Sequence, residues 1–129
     1  MRNTAALVLA LSLAGGTLAA QDTTIETLLI EELVGRPDKE ITMVTVEYAP
    51  GAVDPVHAHH AQAMVYVLEG SVVMQVKGKE PRTLTPGQTF YESPGDVHVV
   101  ARNASRTARA KFVVFFVKDK GAPLLVPAK

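Results

Sequence analysis

Turn-forming residues divide this chain into short runs of strand-forming residues at nearly regular intervals. The run Ile41 to Ala49 is rich in β-branched residues, alternates in polarity near its end, and stops at Pro50-Gly51. Further runs of this kind lie at 63–69, 71–77, 83–85, 88–92, 97–102 and 108–118. Turn signals spaced about eight to twelve residues apart are typical of an all-β sandwich or small barrel. We see no amphipathic helix pattern, so the sequence predicts an all-β fold.

Composition narrows the functional classes. The chain has 129 residues, which is enough for one domain, and its 13 basic residues balance its 13 acidic ones. With 47% hydrophobic residues and no long run of one charge, a disordered chain or a nucleic-acid-binding protein is not expected. Cysteine is absent, which excludes thiolate chemistry and cysteine-rich zinc folds.

The N-terminal segment has the pattern of a signal peptide. Arg2 supplies a positive charge, and Ala5 to Leu13 is apolar but too short to span a membrane. Small residues at Ala19 and Ala20 offer a cleavage site. We therefore expect a signal peptide over 1–20, a single domain over 21–129, no membrane anchor, and a periplasmic or secreted location. The alternative is a buried N-terminal helix.

All four histidines fall in two short segments. His57 and His59 stand two residues apart, followed by His60, and His98 lies in the second segment. Residues two apart in an extended strand point to the same side, so His57 and His59 direct two imidazoles at one point. His98 on a neighbouring strand could complete a three-nitrogen metal site. His60 has the opposite phase and is expected to be an exposed loop residue. The alternative is a set of buried, hydrogen-bonded histidines without a metal.

The spacing of glycines and histidines resembles a known two-motif pattern. Gly51 is followed after five residues by His57-Ala58-His59, and the segment closes at Gly70. The second motif is matched by Gly87, Gly95 and His98. This pattern, over residues 51 to 103, resembles that of the cupin superfamily. The resemblance implies a double-stranded β-helix, or jelly-roll barrel, with a site at one mouth that uses His57, His59 and His98 as metal ligands. It also implies a homodimer.

One departure from the pattern concerns the metal. The motif has a glutamate where this chain has Ala63, so an expected metal-binding carboxylate is missing. Three neutral imidazoles would leave a divalent cation its full charge, which makes it a stronger Lewis acid with more open coordination positions. Gln62 is a candidate fourth ligand if the strand is bulged there. Otherwise Gln62 is a polar pocket or surface residue.

Other residues near the motifs receive structural interpretations. Glu92 and Asp54 could act as acid or base, but both are predicted to be solvated loop carboxylates. The larger apolar side chains are predicted to form ordinary β-sandwich core, with a pocket lining as the alternative; they are Tyr66, Met74, Phe90 and Tyr91.

The predicted site is compatible with three functional classes, of which the first is a metal-dependent enzyme. Imidazole binds several divalent transition metals, so the cofactor could be Fe, Zn, Mn, Ni or Cu. An ion with open positions could chelate a small-molecule substrate through two oxygens and support dioxygenase, isomerase or lyase chemistry. The second class is a binding or sensing module without turnover, and the third is a metal-free structural barrel. Fold membership alone does not choose among them.

Overall fold

The computed structural model describes residues 22–129, and the predicted signal peptide lies outside these described residues. They form ten strands: β1 (Thr23–Leu33), β2 (Arg36–Tyr48), β3 (His57–Ala58), β4 (Ala61–Glu69), β5 (Val72–Val76), β6 (Arg82–Leu84), β7 (Thr89–Glu92), β8 (Val97–Asn103), β9 (Ala110–Asp119) and β10 (Val126–Pro127). The predicted all-β fold is confirmed. Residues 22–129 contain no helix capable of crossing a membrane.

The strands form two antiparallel five-stranded sheets. The first sheet has the order β1-β2-β9-β4-β7, and the second sheet has the order β10-β3-β8-β5-β6. Inward-facing residues alternate along the strands, as Val44, Val46 and Tyr48 do on β2, and they join residues of the second sheet such as Val72 and Met74 in one core. Consecutive strands repeatedly change sheet, which gives a double-stranded β-helix.

The first strand was not predicted, because it buries almost nothing. Thr23–Leu33 forms an eleven-residue strand paired with β2, before the first run of strand-forming residues that the sequence indicated. Its sequence runs Leu28-Leu29-Ile30 without alternation, and its pairing shifts register between Thr27 and Leu29. A strand exposed on both faces has no reason to show the period of two that marks a half-buried strand.

The outer face of the first sheet carries a continuous apolar row. Met74 and Phe90 are buried as predicted, but the core prediction for Tyr66 and Tyr91 is wrong, because both occupy the outward phase of their strands and are exposed. Register pairs connect one residue from each of the five strands, which we call the outer apolar row: Leu29, Met43, Phe115, Met64 and Tyr91. Four of the five side chains are exposed.

Strand β8, which carries His98, is fixed at its far end by a buried asparagine. The Asn103 side chain donates hydrogen bonds to the carbonyl oxygens of Ala49 at 3.0 Å and Ala108 at 2.8 Å, and accepts one from the Ser105 amide at 2.9 Å. Every one of these partners is a backbone group, so the contacts do not depend on neighbouring side chains. Asn103 therefore ties the end of β8 to the end of β2 and to the turn before β9.

Candidate metal centre

Three of the four histidines meet between the short strand β3 and its neighbour β8. His57 lies directly opposite His98 in the register of these two strands, and His59 follows β3. All three side chains are buried, and each offers a ring nitrogen within 4.8 Å of those of the other two. The extended spacing of His57 and His59 therefore places both rings on one side, facing the ring of His98.

Backbone carbonyls fix the protonation pattern of two rings. His57 Nδ1 donates a hydrogen bond to the Pro55 carbonyl oxygen at 2.8 Å, and His59 Nδ1 donates to that of Leu124 at 2.5 Å. A carbonyl oxygen only accepts, so the proton of each neutral ring is on Nδ1. Each Nε2 is left with a free lone pair, which is the state that a metal ligand requires.

Burial also keeps His59 neutral. Desolvation lowers the pKa of His59 from its ordinary value, and the positive charge that His57 and His98 would carry lowers it further. The Leu124 carbonyl and the Glu92 carboxylate act in the opposite direction, but burial is the larger effect. The neutral imidazole is therefore favoured in the folded protein.

The third ring has polar atoms without partners. Among residues 22–129, neither ring nitrogen of His98 has a hydrogen-bond partner, although both are buried. Glu92 Oε1 lies 3.0 Å from His98 Nδ1 but is not aligned with an N–H bond. Buried polar atoms without partners indicate a partner of another kind, such as an ion. A divalent transition metal fits this set of imidazole nitrogens.

Two phenylalanines hold the rings in place. Phe90 is stacked on His98 with ring centroids 5.9 Å apart and planes 12° apart, and Phe116 lies against His59 at 5.0 Å. Both phenylalanines belong to the sheet opposite the one that carries His57 and His98. The first sheet thus forms a wall against which the histidines pack.

Glu92 is part of the site, and the prediction that it is a solvated loop carboxylate is wrong. It is the last residue of β7 and only 2% exposed. Its Oε2 lies 3.8 Å from His59 Nε2, while its Oε1 contacts His98. The signal that could have identified it is the strand period, because Glu92 has the same inward phase as the buried Phe90.

Gln62, by contrast, is not brought to the histidines. Its role as a ligand required a bulge, but β4 pairs regularly with β9 from Ala61 to Val67 and with β7 from Ala63 to Tyr66. Ala61 and Ala63 point inward, so Gln62 between them is exposed on the outer face. There it lines a surface groove together with His60, which is exposed as expected.

The triad opens on a small cavity of about 50 Å³ inside the barrel. Its walls are mostly apolar, and its polar groups beside the histidines are Glu92, Tyr48 and Asp54. Tyr48 donates its hydroxyl hydrogen to Asp54, which also accepts a hydrogen bond from Thr23 at 2.7 Å, so Asp54 is not the freely solvated carboxylate that was predicted. Burial, with Asp54 nearby, raises the pKa of Tyr48, which stays protonated. A cavity of this volume suits a ligand of a few heavy atoms.

Two sheets closed around buried histidines that face a common point define a small β-barrel protein with a metal-site constellation. The family model for the cupin domain matches residues 44–116, and the chain belongs to this family. The matched region contains all three histidines of the site, Ala63 and Glu92.

Individual relatives share the barrel but are longer. The chain is 28% identical over 107 residues to the putative germin-like protein 2-2 of Oryza sativa subsp. japonica, covering 78% of this chain and 48% of that protein. It thus spans about half the length of the curated relatives it matches. The DMSP lyase DddQ of Ruegeria pomeroyi superposes with a TM-score of 0.68 at 22% identity, covering 92% of this chain and 59% of that one. Oxalate oxidase in complex with glycolate superposes with a TM-score of 0.64 at 24% identity, covering 94% and 62%. These two structures show that the fold is shared.

Proposed function

We propose that this chain is an exported cupin that binds a divalent transition metal through His57, His59 and His98 and acts as an enzyme on a small oxygen-chelating substrate. The observation that carries the proposal is the cluster itself: three buried imidazoles offer nitrogens within 4.8 Å of one another. The carbonyls of Pro55 and Leu124 orient two of the rings with Nε2 free. The bound metal supplies Lewis acidity and open coordination positions.

The cavity supports a small substrate. Its volume of about 50 Å³ and its mostly apolar walls suit a ligand of a few heavy atoms. Low local polarity strengthens the electrostatic effect of the cation on a chelated oxygen. Two similar structures bear the names of a lyase and of an oxidase in complex with glycolate, a small hydroxy acid. These names support lyase or oxidase chemistry as classes to test, beside the isomerase and dioxygenase chemistry that an ion with open positions could perform.

The test combines metal analysis with a search for turnover. Protein recovered from its natural compartment should contain nearly stoichiometric transition metal, and the loaded protein should convert a small hydroxy or keto acid, with O2 consumption monitored in parallel. A compound that raises Tm but is never converted would support the binding or sensing alternative instead. Protein that holds no metal and cannot be loaded with any divalent transition metal would contradict the proposal.

We also propose that the protein is a homodimer that pairs through the outer apolar row. An uncharged row can pair with a second copy of itself about a two-fold axis, and large exposed apolar surfaces mark interaction sites. Met64→Glu, which places a charge within the row, should convert a dimer to a monomer in light scattering coupled to size exclusion. Lys79→Glu, an exposed change in the turn between β5 and β6 of the other sheet, is the matched control and should remain dimeric. A monomeric wild-type protein at micromolar concentration would contradict this proposal.

A further inference from the structure

The carboxylate that the family motif places on β4 has a structural equivalent on the neighbouring strand. Ala63 occupies the motif's glutamate position and is 0% exposed. The register of β4 and β7 places Ala63 directly opposite Glu92. Side chains directly opposite each other on antiparallel strands share one face, with Cβ atoms about 4.5–5.5 Å apart. A carboxylate from position 92 therefore enters the barrel beside the place that a carboxylate from position 63 would occupy.

The Glu92 carboxylate lies against two of the three imidazoles. Its Oε1 is 3.0 Å from His98 Nδ1, and its Oε2 is 3.8 Å from His59 Nε2. Two ligand atoms that bind one metal at about 2.0–2.2 Å are themselves about 3–4 Å apart. For an ion held by His98 Nδ1 and His59 Nε2, the carboxylate oxygens thus have the separation from these nitrogens that ligands of a common ion show.

No lysine or arginine of residues 22–129 forms an ion pair with Glu92. Its only ion-pair contacts among these residues are with His59 and His98. Its Oε1 is buried without a hydrogen-bond partner. A buried carboxylate without a cation or a donor is costly, and buried charges in proteins are paired or bind metals. A divalent cation among the three histidines supplies the missing charge.

We propose that Glu92 is the carboxylate ligand of this metal centre, supplied by β7 in place of the β4 glutamate of the family motif. This inference rests on the proposed metal-binding function. It replaces the sequence-based expectation that the cation keeps its full double charge, since the carboxylate cancels half of it. The centre therefore combines three imidazoles with one carboxylate. The carboxylate comes from β7, whereas the family motif places it on β4.

The experiment follows Co²⁺ binding by calorimetry and by visible absorption, which reports the ligands directly. Glu92→Gln keeps the side-chain shape and removes the charge. It should weaken Co²⁺ binding by about 10- to 100-fold and change the absorption spectrum. The double variant Ala63→Glu with Glu92→Ala returns a carboxylate to the motif position. It should recover affinity to within a few-fold of wild type, together with a wild-type-like spectrum.

The outcomes separate this inference from the proposed function. If wild-type protein does not bind Co²⁺, the metal-binding function fails. If wild type binds Co²⁺ but Glu92→Gln binds it equally well with an unchanged spectrum, the Glu92 assignment alone is overturned. A weakened Glu92→Gln variant with an unchanged spectrum also overturns it, because the carboxylate then acts on the metal without ligating it. Circular dichroism of the metal-free variants confirms that they are folded.

Discussion

Replacing His98 by alanine is expected to lower metal affinity by more than about 100-fold, because even the loss of an outer partner of a metal ligand costs about 10- to 100-fold. His98 lies directly opposite His57, and both of its ring nitrogens are free of hydrogen-bond partners among the described residues. Its removal leaves the cation with two imidazoles. Calorimetric titration, and metal content after dialysis, would measure the loss.

His60→Ala is the matched control for this variant. His60 is the one histidine outside the triad, and it is exposed at a surface groove away from the cavity. Its replacement should leave metal affinity unchanged within about two-fold, because its exposed side chain lines the surface groove and not the cavity. Stoichiometric metal in the folded His98→Ala variant, or equal losses in the two variants, would show that the triad is not the ligand set.

The barrel could be predicted from the sequence because its strands are half-buried. Alternation near the end of β2, and short apolar runs such as the one on β4, indicate strands without knowledge of their partners, because glycine and proline separate the runs. The first strand shows the limit of this reasoning. Its residues are almost all exposed, so its formation depends on pairing with β2, which is a contact that no local pattern encodes.

The candidate site, like the fold, could be predicted from the sequence only in part. The convergence of His57 and His59 follows from a spacing of two, and the third histidine was indicated by the resemblance of the motifs. Glu92 was misjudged because it directly precedes the turn Ser93-Pro94-Gly95, which resembles loop sequence. Its position opposite Ala63 is a matter of register between strands distant in sequence. The absence of the motif's glutamate at position 63 is visible in the sequence of one strand. The position of Glu92 opposite Ala63 becomes visible only when the pairing of β4 with β7 is known.

The second large effect is expected at the bend between β4 and β5, where Gly70 brings two segments of backbone into close approach. Gly70 has φ of 70°, and a Cβ there would lie 2.4 Å from the Arg109 carbonyl oxygen and 2.9 Å from Ala110 Cα. Gly70→Ala combines a left-handed conformation, costing about 1–2 kcal/mol, with a clash against backbone that cannot rotate away. We expect a loss of about 3 kcal/mol in the free energy of unfolding.

The Gly78→Ala variant separates the cost of the left-handed conformation from the cost of the clash. Gly78 has φ of 82°, but no atom lies within 4 Å of the position that a Cβ would take there, so only the conformational cost of about 1–2 kcal/mol should appear. Denaturant unfolding of the metal-free variants would measure both values, and equal losses would contradict the clash at Gly70.

The bend at Gly70 also joins β4, whose partner β7 carries Glu92, to β5, whose partner β8 carries His98. A shift that relieves the clash would therefore displace the carboxylate relative to the imidazole, so Gly70→Ala should weaken metal binding while Gly78→Ala leaves it unchanged.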